Sequence, residues 1–189
     1  MRTLTLAATK RDQIGSNAAK KTRNQNEIPC VLYGGKENLH LAVGAQELHN
    51  IVYNPDFYLT EVQVDGNNHT CIIKAVQFDP VTDSILHVDF LELTAGKKVV
   101  LEIPLKFNGP SVGEKAGGKL ITQMRKLKVK TLPKHIVSEI DVDIKDLDLG
   151  KSIKVSQLSL ENMEIINALS TPMATIEIPR SLKSANAAK

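Results

Sequence analysis

The stretch Leu59-Thr60-Glu61-Val62-Gln63-Val64-Asp65-Gly66-Asn67-Asn68-His69-Thr70-Cys71-Ile72-Ile73 decides the fold. On both sides of Asp65-Gly66-Asn67-Asn68, side chains alternate with the period of two that gives a strand one dry face and one wet face. Gly and Asn accept positive φ at low cost, so the four residues between the runs predict a hairpin turn. Strand-like patterns recur outward from it, at residues 4–8, 29–33 and 84–93, with the flanking runs at 59–64 and 69–77. Asp79-Pro80-Val81-Thr82-Asp83 reads as a second turn. Residues 45–53 place Leu48, Ile51 and Val52 on one face of a short amphipathic helix, stopped by Asn54-Pro55. Short strands with one or two helices predict a mainly β protein built on a compact barrel.

The chain has 189 residues, 42% hydrophobic and 24% charged, so it can bury a core and is not compositionally disordered. The pattern breaks at Thr94-Ala95-Gly96-Lys97-Lys98, where acidic alternation gives way to the apolar run from Val99 to Phe107. A first domain over 1–95, a second mostly β domain over 96–180 and a flexible tail over 181–189 are expected. Strands in the second half are predicted where Lys126, Lys128 and Lys130 alternate with Leu127, Val129 and Thr131, where Ile140, Val142 and Ile144 alternate with carboxylates, and at 174–178. Apolar runs are far shorter than the roughly 18–20 residues that cross a bilayer, so no membrane partner is expected. The first residues lack a long apolar segment before a small-residue cleavage site, which points to the cytoplasm. Cys30 and Cys71 stand alone in apolar surroundings, without disulfide or metal-ligand spacing, and read as small core residues.

Charge is unevenly spread. Residues 1–26 hold six bases, Arg2, Lys10, Arg11, Lys20, Lys21 and Arg23, against Asp12, while residues 27–95 hold two bases and ten acids. Residues 96–134 carry ten bases and two acids, and 135–180 are acidic again. A polyanion would be drawn to the two basic blocks, because the field depends on local clustering more than on net charge. In the first block, Gly15-Ser16-Asn17-Ala18-Ala19 reads as a small-residue loop running into Lys20, Lys21 and Arg23. It is either a solvated basic surface or a phosphate contact.

Three other features invite chemistry. Gly113, Gly117, Gly118 and Lys119 have the spacing of a phosphate-binding loop, but Leu120 replaces its magnesium-binding hydroxyl and no convincing helix follows, so a flexible glycine-rich loop between strands is expected. His87 and Asp89 share one side of a strand. With no marked nucleophile or third metal ligand, they read better as a hydrogen-bonding pair than as catalyst or metal site. Tyr33, before Gly34-Gly35, either caps the core or presents its ring and hydroxyl to a ribose or base. No enzyme activity, cofactor, metal or small-molecule substrate is expected. A basic stress or adaptor protein, gripping an acidic protein partner with the strand 126–130, is the rival reading.

Taken together, Arg11 with Gly15 and Lys20-Lys21-Thr22-Arg23, Ile28-Pro29-Cys30-Val31-Leu32-Tyr33-Gly34-Gly35, Lys74-Ala75-Val76-Gln77-Phe78-Asp79-Pro80 and His87-Val88-Asp89-Phe90 resemble the bacterial large-subunit ribosomal protein family that binds 5S ribosomal RNA. The likeness is to its long, two-domain general-stress (Ctc) form. Pro104-Leu105-Lys106-Phe107-Asn108-Gly109, residues 113–120, Leu132-Pro133 and Leu147-Asp148-Leu149-Gly150 resemble the appended domain. The resemblance implies a six-stranded barrel with short helices, docked on an internal-loop helix of 5S RNA within the large subunit, beside neighbouring ribosomal components. By position it implies phosphate contacts from Arg11, Lys20, Lys21 and Arg23, sugar and base contacts from Tyr33, Gln77, His87 and Asp89, and a further RNA contact from Lys74. Lys20 and Lys21 stand where the family commonly has Arg, and supply charge without a planar fork. Ser16-Asn17 stands where it has Lys-Gly, and Phe78-Asp79 where some members carry basic residues or His.

Overall fold

The computed structural model describes residues 3–35 and 37–179, so the expectation for the tail lies outside the described residues. The chain divides into two compact units, Met1–Val99 and Val100–Lys189. In the first unit the elements run β1 (Thr3–Lys10), α1 (Ser16–Asn24), β2 (Glu27–Tyr33), β3 (Leu39–Gly44), α2 (Ala45–Val52), β4 (Leu59–Val64), β5 (Asn67–Phe78) and β6 (Ile85–Glu92). The strands close into a six-stranded barrel in the order β1-β3-β2-β6-β5-β4. Closure leaves no edge strand in the barrel for another chain to extend.

Val64 pairs with Asn67, so only Asp65 and Gly66 form the loop of the β4–β5 hairpin. Both have positive φ, 48° and 82°, as the two central residues of a tight hairpin must. At the next turn the amides of Thr82 and Val81 donate to the Asp79 carboxylate, which holds that carboxyl below its ordinary range. Alternate residues of the strands fill the barrel: Leu6, Cys30, Leu32, Leu41, Val62, Cys71, Val88 and Phe90 are each at most 2% exposed. Leu48 and Ile51 of α2 join this cluster, so the helix docks through its apolar stripe.

Two stretches of the first unit differ from what their sequence suggests. The segment from Ser16 to Asn24 is helix α1, not a loop. It lacks an apolar stripe, and rests against the barrel through buried Thr22 and half-buried Ala18 and Ala19. Residues 39–44, whose sequence shows no strand alternation, form β3. Leu41, Ala42 and Val43 are all buried in succession, which erases the alternation that marks a strand.

The second unit holds β7 (Val99–Asn108), α3 (Val112–Lys115), β8 (Lys119–Thr122), β9 (Lys126–Thr131), β10 (Ile140–Asp143), β11 (Ser152–Lys154), β12 (Met163–Ile165) and β13 (Pro172–Glu177). They make a four-stranded sheet, β10-β7-β9-β12, and a three-stranded one, β11-β13-β8. The glycine-rich segment before β8 is a packed turn and not the flexible loop expected. The Glu114 amide donates to Ser111 Oγ at 3.2 Å and the Ser111 amide to Glu114 Oε2 at 3.0 Å, a reciprocal cap. A Cβ on Gly113 would lie 2.9 Å from the Asp148 carbonyl carbon, and one on Gly118 2.4 Å from Ile176 Cγ2. The amides of Gly117 and Gly118, which would have to point at a phosphate, donate instead to the carbonyls of Glu114 and Gly113. Those glycines serve packing.

Candidate nucleic-acid interface

Register across the barrel, invisible in the sequence, assembles the candidate residues. His40 of β3 pairs with Val31 of β2, Val31 with Asp89 of β6, and Asp89 with Ala75 of β5. The Arg11 amide donates to the His40 carbonyl at 2.8 Å, which extends the row by one more position. The alternate residues Cys30, Leu41 and Val88 are in the core, so this row lies on the outer surface of the barrel. Two residues from it, Gln77 pairs with His87 on the same face. Tyr33 follows Val31 by two on β2, opposite Leu91. Tyr33, Asp89, His87 and Gln77 therefore form one contiguous strip over β2, β6 and β5.

Within the strip, His87 Nδ1 lies 2.8 Å from Asp89 Oδ1. The two atoms are in close contact without the alignment of a hydrogen bond, and Nδ1 has no hydrogen-bond partner among the described residues. The side chains are 23% and 33% exposed while Nδ1 itself is buried, so an outside partner meets the rest of the imidazole and the carboxylate. Burial pushes the Tyr33 phenol above its ordinary value, and the Asp89 carboxylate adds to the shift. Near neutral pH the phenol therefore keeps its proton and can both donate and accept. Lys74 is the extra residue of a bulge: Ile73 pairs with Phe90 and Ala75 with Asp89, which leaves Lys74 opposite no residue of its own. Its exposed side chain stands beside the Asp89–Ala75 end of the row.

Helix α1 spreads its cations. At about 100° per residue, Lys20 points away from the buried Thr22 side while Lys21 and Arg23 occupy opposite flanks. Lys21 lines a groove of about 390 Å³ together with Lys10 and Arg11, and with the carboxylates Asp12 and Glu27. On the other flank, Arg23 Nε donates to the Leu86 carbonyl at 3.1 Å, next to His87. The helix thus ties Arg23 to the polar strip and groups Lys21 with Arg11. Among the described residues, Lys20, Lys21 and Arg23 form no ion pair. The second unit differs: Lys128 lies 3.4 Å from Glu102, Lys130 3.9 Å from Glu164 and Lys106 2.8 Å from Glu139. The basic strand that the adaptor reading needs is largely matched by its own neighbours.

His40 is the residue that sequence reasoning missed. It sits between Arg11 and Val31 on the outer row, and only the β2–β3 register reveals it. A second imidazole–carboxylate pair, His69 Nδ1 with Glu92 Oε1 at 2.9 Å, also went unread. The thiols offer no chemistry: burial pushes Cys30 and Cys71 up to about 12, so both stay protonated and inert. What remains is a surface of cations beside hydroxyl, amide, imidazole and carboxylate groups. Cations of this kind can take phosphates, and the mixed polar strip can take ribose hydroxyls and base edges.

A closed barrel with such a strip, followed by a second β unit, defines a two-unit β protein with a polar, cation-bordered outer face. Residues 6–90 match the Ribosomal L25p family and residues 98–180 match the C-terminal domain of ribosomal protein TL5. Relatives named large ribosomal subunit protein bL25 include one from Porphyromonas gingivalis, 42% identical over 98% of this chain and 97% of its own. Another, from Bacteroides fragilis, is 42% identical over 92% of this chain and 88% of its own. The chain belongs to the Ribosomal L25p family, in the long Ctc form that carries the TL5-type second domain.

Proposed function

We propose that the first unit binds 5S ribosomal RNA and that the chain is, through this contact, a structural constituent of the large subunit on the cytoplasmic ribosome. The supporting observation is the single outer strip formed by Tyr33, Asp89, His87 and Gln77, bordered by Arg23 on one end and by Arg11 and the α1 lysines across β3. Double-stranded RNA hides its base edges in a deep, narrow major groove, so a protein meets the shallow minor groove, its 2′-hydroxyls and any distorted pairs. A rigid barrel wall with mixed donors and acceptors suits that surface. Cations on a protruding helix set the register on the backbone.

Lys20 is the cleanest test of the phosphate contacts, because it is exposed and holds no other element. Arg23 also pins α1 to β6 through Leu86. Lys20→Ala is expected to weaken binding to 5S RNA and to reduce the slope of log affinity against log salt by roughly one, as loss of one phosphate contact should. An unchanged slope for Lys20→Ala, Lys21→Ala and Arg23→Ala alike would remove the electrostatic half of the proposal.

A further inference from the structure

Around the end of α2 and the β5–β6 turn the barrel exposes three rings. His49 and Tyr53, one helical turn apart, have ring centroids 4.3 Å apart and planes inclined by 32°. Phe78, the last residue of β5, meets Tyr53 at 6.0 Å and 63°. Tyr53 is 47% and Phe78 44% exposed, so the cluster contributes little to the core. The Tyr53 hydroxyl donates to the Asp83 carbonyl, which fixes the ring in place.

Beside the rings runs a groove of about 280 Å³, lined among others by Arg23, Asn26, Glu27, His49 and Tyr53. Arg23 spends its Nε on Leu86, so its guanidinium is oriented while the terminal nitrogens stay available. Pinned aromatic faces offer stacking to a base, an oriented guanidinium offers charge to its phosphate, and an amide and a carboxylate offer hydrogen bonds to its edge. An apolar peptide segment would use the rings but would desolvate Arg23 and Glu27 without pairing them, which is costly.

We infer that the ledge of His49, Tyr53 and Phe78, with Arg23 at its border, holds an unpaired RNA nucleotide next to the helix bound by the polar strip. The inference rests on the proposed duplex interface, since Arg23 belongs to both. It adds to that interface a second contact with single-stranded character, made by residues outside the strip.

The test uses the full chain and the internal-loop helix of 5S RNA, prepared blunt and with four unpaired uridines at either strand end next to the loop. One extended form is expected to bind about tenfold more tightly than the blunt helix, as one stacked base typically provides. Tyr53→Leu and Phe78→Leu keep apolar bulk and remove the ring. Both are expected to bind the blunt helix as the native chain does and to lose most of that gain. Native binding to the blunt helix with no gain from either extension would overturn the inference alone, as would a gain that survives both Leu variants. Failure of the native chain to bind the blunt helix would overturn the duplex interface and this contact with it.

Discussion

His87 and Asp89 were legible in the sequence as a pair because residues two apart on a strand share a face. Their neighbours were not, since Gln77, Val31, Tyr33 and His40 come beside them through strand register alone. His87→Ala is expected to lower affinity for 5S RNA by about 1–2 kcal/mol, the scale of a lost hydrogen bond to a polar ligand, with the thermal transition intact. A collapsed transition would instead make His87 a structural residue of the barrel wall. The two thiols support a prediction about stability. Their folded values of about 12 stand above the ordinary thiol value of 9.0, so the unfolded chain releases these protons first as pH rises. The thiols' contribution is fully present below pH 9 and is lost towards 12, at up to about 1.4 kcal/mol per pH unit for each. Denaturant midpoints across that range should fall less steeply for Cys30→Ala and Cys71→Ala than for the native chain. Parallel slopes would contradict the buried, protonated thiols.

At the scale of elements, the hairpin of β4 and β5 could be read because Asp65-Gly66 names its own turn. Helix α1 could not. Its sequence Ser-Asn-Ala-Ala-Lys-Lys-Thr-Arg-Asn has no apolar period, and tertiary contact through Ala18, Ala19 and Thr22 decides its structure. Strand β3 escaped because three successive residues are buried, a pattern that periodicity cannot tell from a short helix. The glycines before β8 suggest a flexible loop in the sequence, whereas their close contacts make a packed turn. Gly118→Ala is expected to destabilise the second unit by about 1–3 kcal/mol, since a methyl group there overlaps Ile176, Leu149 and the Gly113 carbonyl. Urea titration followed by a probe in the second unit would measure it. A neutral substitution would mean that the turn yields easily and is looser than its contacts imply.

For the molecule as a whole, composition announced two basic blocks, and the two units use them differently. In the second unit Lys106, Lys128 and Lys130 lie opposite carboxylates on adjoining elements, which favours a locally neutral sheet face over an anion-binding one. In the first unit the cations of α1 form no ion pair among the described residues and stand beside a polar wall, although residues 27–95 are acidic in sum. Net charge therefore says little about where a polyanion would sit, and local pairing says more. The central claim is that Arg11, the α1 cations and the Tyr33–Asp89–His87–Gln77 strip act as one RNA-facing surface. Titrating the internal-loop helix of 5S RNA into the isotope-labelled full chain, and following backbone amide resonances, tests it most directly. The expected shifts gather on α1, on residues 31–33 of β2, on 75–77 of β5 and on 87–89 of β6. Shifts centred on the outer face of β4, or spread evenly over both units, would contradict it.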